Sequence, residues 1–433
     1  MDVRNTVSAE RPERGGEIAF DRSLAGLTGI VVKGFLLSLV TSGIYRFWYV
    51  TNLRRFFWSR TLVDGSPAAY TGRGEDLFLG FLVAVVLLAP IYVGLFAVSL
   101  LSPAFPIFAG VVGVVVLFVL GQFALYRGRR YRAARTLWRG IRLGQDGSGL
   151  VYAALAAGWW IVVLATLGLA FPFMRAALER YRIRHTLVGT SRMGSEARGR
   201  SVLPSWLLLW APIVVPVLLL PAGIFASGAC GPLLDTNLTL PKQGAVKVPS
   251  PSSAECDAVA VTLLTALSFL LAVAAPVVSL LYPFYRARET RAFLSAIRLD
   301  EVRLVSRLRA WDLYRPYLAY LVQCLKLGIL ITVTAAIVVV IMMVSGDAVA
   351  QSVRFAIGAV IVVALYAWYL VSTVVLHVRV LKVGPWRAVA ETTRISDAAA
   401  LGAIVASARG PSSSLGEGMA DALDVGGVLD IGF

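Results

Sequence analysis

The chain has 433 residues, of which 58% are hydrophobic and only 15% charged, against about 25% charged in an ordinary soluble domain. A water-soluble body of this size cannot be covered by so little polar surface. The formal net charge of +16 would suggest nucleic acid in a soluble protein, but here the Arg clusters stand beside long apolar blocks, where they orient helices and meet anionic headgroups. Composition thus excludes a soluble fold and argues against nucleic acid; membrane lipid is the expected partner.

Residues 1–25 are polar and lack the apolar core of a cleavable signal peptide, so they are expected to form a cytoplasmic N-terminal segment. Eight hydrophobic segments follow, at about 26–45, 76–101, 105–126, 149–173, 203–227, 257–282, 317–344 and 353–377. Most reach the length of about 20 residues that crosses a hydrocarbon core. Aromatic residues flank them, as at Phe47, Trp48 and Tyr49, in the interfacial position that Trp and Tyr favour. Between segments, 46–75 holds five Arg, while 127–148, 174–200 and 283–312 hold seven each. By contrast, 228–255 has only two Lys and two acids. From 396 onward the chain is rich in Gly, Ser, Ala and Asp and is expected to be partly disordered.

The chain also matches itself. At an offset of 125, Thr41, Gly43, Leu53, Arg55 and 61–63 return as Thr166, Gly168, Leu178, Arg180 and 186–188, seven identities in 23 positions. At an offset of 156, Arg130, Arg132, Arg135 and 141–143 return as Arg286, Arg288, Arg291 and 297–299, six in 14. Roughly one or two identities are expected by chance in each. The predicted fold is therefore all-α: a polytopic helical membrane protein with a tandem internal duplication. Its parts are the segment 1–25, a first membrane repeat 26–148, a second at 149–312 with an inserted extracytoplasmic loop at about 228–256, a final hairpin 313–378, and a cytoplasmic tail 379–433. Arg132, Arg135, Arg139 and Arg142 recur at helical spacing. They read either as a helix lying on the membrane surface or as a basic extension of the preceding span. With Arg288, Arg291 and Arg298 they are the candidates for binding anionic lipid.

The run 41–45 followed by 53–57 (TSGIY and LRRFF), the run 138–144 (WRGIRLG) with 146–148, and 416–424 (GEGMADALD) resemble the hallmarks of the YjgN-like family of bacterial inner-membrane proteins. The resemblance covers nearly the whole chain. Phe47 departs from it, standing where the family usually has Pro, and so does the Cys-bearing loop. The family is a domain of unknown function, so the resemblance implies a place, the bacterial inner membrane, and no activity.

The sequence carries few motifs of known chemistry. His185 and His377 stand in no zinc-binding pattern, and neither a phosphate-binding P-loop nor a nucleophile elbow occurs. No enzyme and no cofactor is expected. Lys33 falls near the middle of the first segment; it is either an intramembrane functional cation or a side chain that snorkels to the interface. Cys230 and Cys256 flank the loop assigned outside, where a disulfide could form.

If all eight segments cross, some heavily Arg-rich loop must face outward, against the positive-inside rule. The conflict disappears if the first and fourth segments enter and leave from the cytoplasm, bending near Gly34 and Gly158. The corners marked by Thr41, Gly43, Thr166 and Gly168 would then meet near the cytoplasmic face. Ordinary crossing with an unusual charge pattern is the alternative. The functional expectation is passage of a small solute or lipid through a helical bundle; the alternative is a non-catalytic scaffold or assembly factor with an Arg-rich, lipid-binding cytoplasmic face.

Overall fold

A computed structural model describes residues 16–100, 105–226, 253–344 and 351–407. Five times the chain follows one path: a five-residue strand, a helix out, a helix back, and a three-residue strand. The first unit is β1 (Gly16–Phe20), α1 (Leu27–Val40), α2 (Arg46–Arg60) and β2 (Thr61–Val63). The second is β3 (Ser66–Tyr70), α3 (Gly74–Ser99), α4 (Phe105–Ala134) and β4 (Thr136–Trp138). The third is β5 (Ile141–Gln145), α5 (Gly149–Ala165), α6 (Phe171–Arg184) and β6 (Thr186–Val188). The fourth is β7 (Ser191–Ser195), α7 (Leu203–Ala226), α8 (Ser253–Leu294) and β8 (Ile297–Leu299). The fifth is β9 (Val302–Ser306), α9 (Ala310–Val344), α10 (Gln351–Leu376), a π-helical turn (His377–Lys382), α11 (Val383–Thr392) and β10 (Thr393–Ile395).

The ten strands form one closed antiparallel barrel, so the all-α expectation is overturned. In every unit the two strands pair, and the residue that leaves the barrel lies opposite the one that returns: Phe20 with Thr61, Tyr70 with Thr136, Gln145 with Thr186, Ser195 with Ile297, and Ser306 with Thr393. All five helical excursions therefore rise from one rim. Two-residue turns at 64–65, 139–140, 189–190 and 300–301 close the opposite rim. Pairing of β1 with β10 completes the ring.

Local chemistry explains four of the five changes from helix to strand, Ile297 being the exception. Thr61, Thr136, Thr186 and Thr393 each donate a hydroxyl to the carbonyl four residues back, at 2.7–2.9 Å, which satisfies an orphan acceptor of the last helical turn. An extended, mostly β-branched or apolar segment follows. Asp64 and Gly65 take φ of 48° and 71°, the two positive angles of the hairpin turn that Asp-Gly favours. Alternate residues point inward, and the base of the barrel is filled by Trp138, Ile141, Leu299, Val302 and Ile395.

Six helices among the described residues are long and apolar enough to cross a membrane. They belong to units two, four and five, and their large hydrophobic side chains are extensively exposed, as lipid contact requires. All eight predicted segments are helical, but α1 and α5 have only 14 and 17 residues. At about 1.5 Å per residue they span roughly 21 and 26 Å, less than a core of about 30 Å. Both turn back, at 41–45 and 166–170, not at Gly34 or Gly158. Gly34 lies inside a continuous helix, where an added Cβ would sit 2.0 Å from the Tyr49 ring; it lets α1 approach α2.

Two other expectations need correction. The match at an offset of 156 laid 141–143, in a five-residue strand, on 297–299, in a three-residue one; by position in the hairpin, Ile297 corresponds to Thr136. The stretch 379–433, read as a tail, contributes α11 and β10 to the body. Beyond β10, Leu401 is buried with Ala400 and Ile404 against the barrel base, and Val405 accepts a bond from the Thr190 amide at 3.1 Å. The acidic run 416–424 and Cys230 lie outside the described residues, and so does any pairing of Cys230 with Cys256.

Candidate functional site

Above the helix-side mouth of the barrel lies a cavity of about 500 Å³. Its floor is the inner wall of the barrel, with Thr61, Ala68, Thr136, Leu143 and Thr186. Its sides come mainly from α4 and α6. On α4, Gln122, Leu125, Arg129 and Arg132 line it at spacings of three and four, so they form one helical stripe, with Ala133 beside it. On α6, Phe171, Met174, Arg175, Leu178 and Arg182 do the same. Pro172 stands at the start of α6, where its missing N–H costs no helical bond. Trp58 and Trp386 complete the wall, their rings 5.6 Å apart.

Four arginines line this chamber and no carboxylate does. The compensating acids sit just behind. Glu179 pairs with Arg182 at 2.8 Å. Glu289, only 2% exposed, receives Arg175 at 2.8 Å, Arg286 at 2.5 Å and the Tyr285 hydroxyl at 3.2 Å. Burial pushes the Glu179 carboxyl up, but Arg182, with Arg129, Arg175 and Arg286 behind it, overcomes this and holds it below the usual carboxylate range. Burial likewise works against the charge of Arg175, and the Glu289 carboxylate more than offsets it, so the guanidinium loses its proton less readily than usual. Arg129 has no hydrogen bond or ion pair among the described residues, and the Nε of Arg182 is buried without a partner. Leaving a buried charge unpaired costs several kcal/mol as a rule. The arrangement is therefore suited to holding an anion.

Of the lipid-binding candidates and corner residues singled out from sequence, only Arg132 lines the chamber, together with the repeat positions Thr61, Leu143, Leu178 and Thr186. The helical face read through it is broken. Arg132 is on α4, Arg139 occupies a hairpin turn at φ 49°, and Arg142 is in β5. Arg135 pairs with Asp76 at 3.4 Å, Arg139 bonds Ser66 at 2.8 Å, and Arg142 bonds the Ala134 carbonyl at 2.7 Å. Arg288 and Arg291 are exposed on α8, and Arg298 reaches Glu196 at 2.9 Å from the outside of β8. Lys33 is exposed on α1.

The two Thr-x-Gly corners are equivalent in detail. Ser42 and Leu167 both have φ 50°, and Gly43 and Gly168 both have φ 91°. Thr41 and Thr166 each donate to the carbonyl four residues back and accept from the amide four ahead. They cap the far tips of the short hairpins, away from the barrel, and do not line the chamber. The residues that sequence reading missed are Arg129, Arg175, Arg182, Glu179 and Glu289. Their signal was the helical phase of Arg175, Glu179 and Arg182 on an apolar face.

The family described as bacterial protein of unknown function (DUF898) matches residues 16–422. The chain belongs to this family. It is 27% identical over 156 residues to the inner membrane protein YjgN of Salmonella typhimurium, covering 36% of each chain. To YjgN of Escherichia coli K12 it is 26% identical over 148 residues, 33% of this chain and 34% of the relative. The matched stretch thus spans about a third of these curated relatives. No solved structure matches significantly. With six helices able to cross, this member of the family is a multi-pass protein of the bacterial inner membrane.

Proposed function

We propose that this protein passes a small solute or lipid through its helical bundle, with the arginine-lined chamber as the station on the route. The supporting observation is the place of the chamber: its floor is the barrel mouth and its walls continue into α4, one of the six long apolar helices. We read the five units as copies of one module, repeated until the sheet could close, and the barrel as cytoplasmic. Every Arg-rich stretch then lies at the barrel, on the side the positive-inside rule requires, with the C-terminus there too. Purified protein in vesicles, offered a panel of solutes and labelled lipids, tests the reading. At least one member should cross faster than in protein-free vesicles, and Ala133→Trp, which fills the chamber from a lining position, should slow it. A panel with no accelerated member, or a flux indifferent to that substitution, would overturn it.

A second reading, a scaffold, is supported by the outer wall of the barrel. Arg298, Arg303 and Arg394 are exposed on three adjacent strands, with Arg298 directly opposite Arg303. Arg298 reaches Glu196 and Arg394 reaches Glu17, but the like charges of Arg298 and Arg303 stay opposed across the ladder, so an acidic partner or anionic lipid would further stabilise this face. Loss of vesicle or protein co-purification in the triple Gln variant is the expected result.

A further inference from the structure

We propose that the chamber's ligand is an amphiphile with a phosphate-type head, the head held by Arg129 and Arg182 near the barrel mouth and the apolar part against Leu125, Trp160, Phe171 and Met174. This deepens the passage reading and rests on it.

The charge balance carries the first half. Arg129, Arg175, Arg182 and Arg286 surround two carboxylates, Glu179 and Glu289. With Arg132 also on the chamber wall, the positive charges outnumber these two carboxylates by at least two, enough to balance a phosphate monoester near neutral pH. Arg129 and Arg182 both line the chamber: Arg129 stands near the Glu179 carboxylate without a hydrogen bond to it among the described residues, and Arg182 gives one arm to Glu179 while its Nε has no partner. Planar guanidinium groups bind phosphate oxygens in pairs, which suits them better than a point charge.

The position of the apolar residues carries the second half. Arg129 precedes the strand residue Thr136 by seven positions, and Arg182 precedes Thr186 by four. Leu125 and Met174 precede the same strand residues by eleven and twelve, and Phe171 by fifteen; Trp160 follows Gln145 by fifteen. At about 1.5 Å per helical residue, these side chains stand roughly 16–22 Å above the barrel, at the membrane end. Gln122, uncharged, and Arg175, neutralised by Glu289, share that level. The chamber is thus cationic at its barrel end and mostly apolar, with no net charge, at its membrane end, the polarity of a lipid whose head points to the barrel.

The test uses the full chain in nanodiscs doped with one of two photoreactive probes, phosphatidic acid or diacylglycerol, each with the diazirine in its acyl chain. After irradiation, labelled peptides are mapped by mass spectrometry. Phosphatidic acid should label the peptides carrying Leu125, Trp160 and Met174, with diacylglycerol at least about fivefold weaker, a gap of about 1 kcal/mol. Arg129→Gln and Arg182→Gln should each remove most of that label, Arg129→Lys should keep part of it, and Arg303→Gln on the outer wall should not change it. The charge-retaining variant separates loss of the head contact from misfolding. Equal labelling by both probes, or labelling unchanged in Arg129→Gln, overturns the proposal. Calorimetric binding of inorganic phosphate that depends on Arg129, without lipid label in the chamber, also overturns it and names free phosphate instead. If wild-type vesicles pass a panel member while the probes fail, the head-group inference falls and the passage reading stands; if the probes succeed and nothing passes, the reverse holds.

Discussion

The indole N–H of Trp386 donates to the Thr61 hydroxyl at 2.9 Å, bridging 325 positions of chain. Thr61 in turn donates to the Phe57 carbonyl at 2.8 Å. The Trp386 ring lies 5.6 Å from those of both Phe57 and Trp58, and Trp58 repeats the pattern one unit on, donating to Thr136 at 2.9 Å. A belt of tryptophan-to-threonine bonds therefore joins units five, one and two above the barrel mouth. Trp386→Phe removes the bond to Thr61 while keeping a smaller aromatic ring and should cost about 1 kcal/mol or somewhat more; Trp386→Ala also empties the packed site and should cost about 3–5 kcal/mol. Thermal unfolding in detergent measures both, and equal losses for Phe and Ala would show that the bond, not the ring, holds the belt.

Acid should weaken the chamber walls through Glu179. Its folded-state pKa lies below the usual carboxylate value, through Arg182 and its neighbours acting against burial. A depressed carboxylate contributes stability that is complete above the unfolded pKa and is lost as pH falls through the folded one. The melting temperature of the wild type should therefore fall on acidification from the ordinary Glu value of 4.5 downward. Glu179→Gln, less stable at neutral pH, should lack that component of the slope. Parallel pH profiles for the two proteins would refute the assignment.

The base of the barrel is closed by a contact that one methyl group should break. Gly189 has φ +61°, and an added Cβ would stand 2.1 Å from the Val405 carbonyl oxygen. Gly189→Ala should displace residues 400–405, raising hydrogen exchange and protease cleavage there. Gly65→Ala is the control: φ is +71° but nothing lies within 4 Å, so only the left-handed backbone cost of about 1–2 kcal/mol applies. Unchanged protection of 400–405 in the Gly189 variant would contradict the contact.

Topology can be read chemically. Ser66 and Ser191 begin strands at the turn-side rim, and Ser148 caps α5 at the other rim. Both rims belong to one barrel, so if that barrel is cytoplasmic, as proposed, single cysteines at all three should be shielded from an external impermeant maleimide and labelled after permeabilisation. External labelling of any one would place the barrel, or part of it, outside.

The helices were legible in the sequence and the strands were not, for identifiable reasons. Apolar blocks of twenty residues dominate any reading by length, whereas these strands have three or five residues, and the three-residue ones follow their helices with at most two residues between. Arg132, Arg135, Arg139 and Arg142 have helical spacing by coincidence, although the chain turns a hairpin between the second and the fourth. The available signal was Asp64-Gly65 and Arg139-Gly140, each preceded by a short β-prone run beginning Thr-Leu. The same runs occur four times when Thr186 and the more divergent Ile297 are included. The corners at Thr41 and Thr166 were recognised as a pair, but sequence spacing says nothing about which end of a hairpin faces the barrel. The chamber was hidden because its walls come from distant stretches, and Glu289 meets Arg175 across 114 positions.

The seam between β1 and β10 sets an order of assembly. Four of the ring's inter-unit joins are covalent hairpins that form as soon as neighbouring units exist, but Gly16 must find Ile395, and Glu17 must find Arg394, across most of the chain. While the earlier units emerge and insert, the growing sheet keeps two open edges with unpaired backbone groups, the condition that invites pairing with another chain. Newly made protein is consequently most vulnerable to aggregation before α11 and β10 arrive, and damage at this short seam will be felt as poor yield of assembled protein rather than as a defect in any finished one.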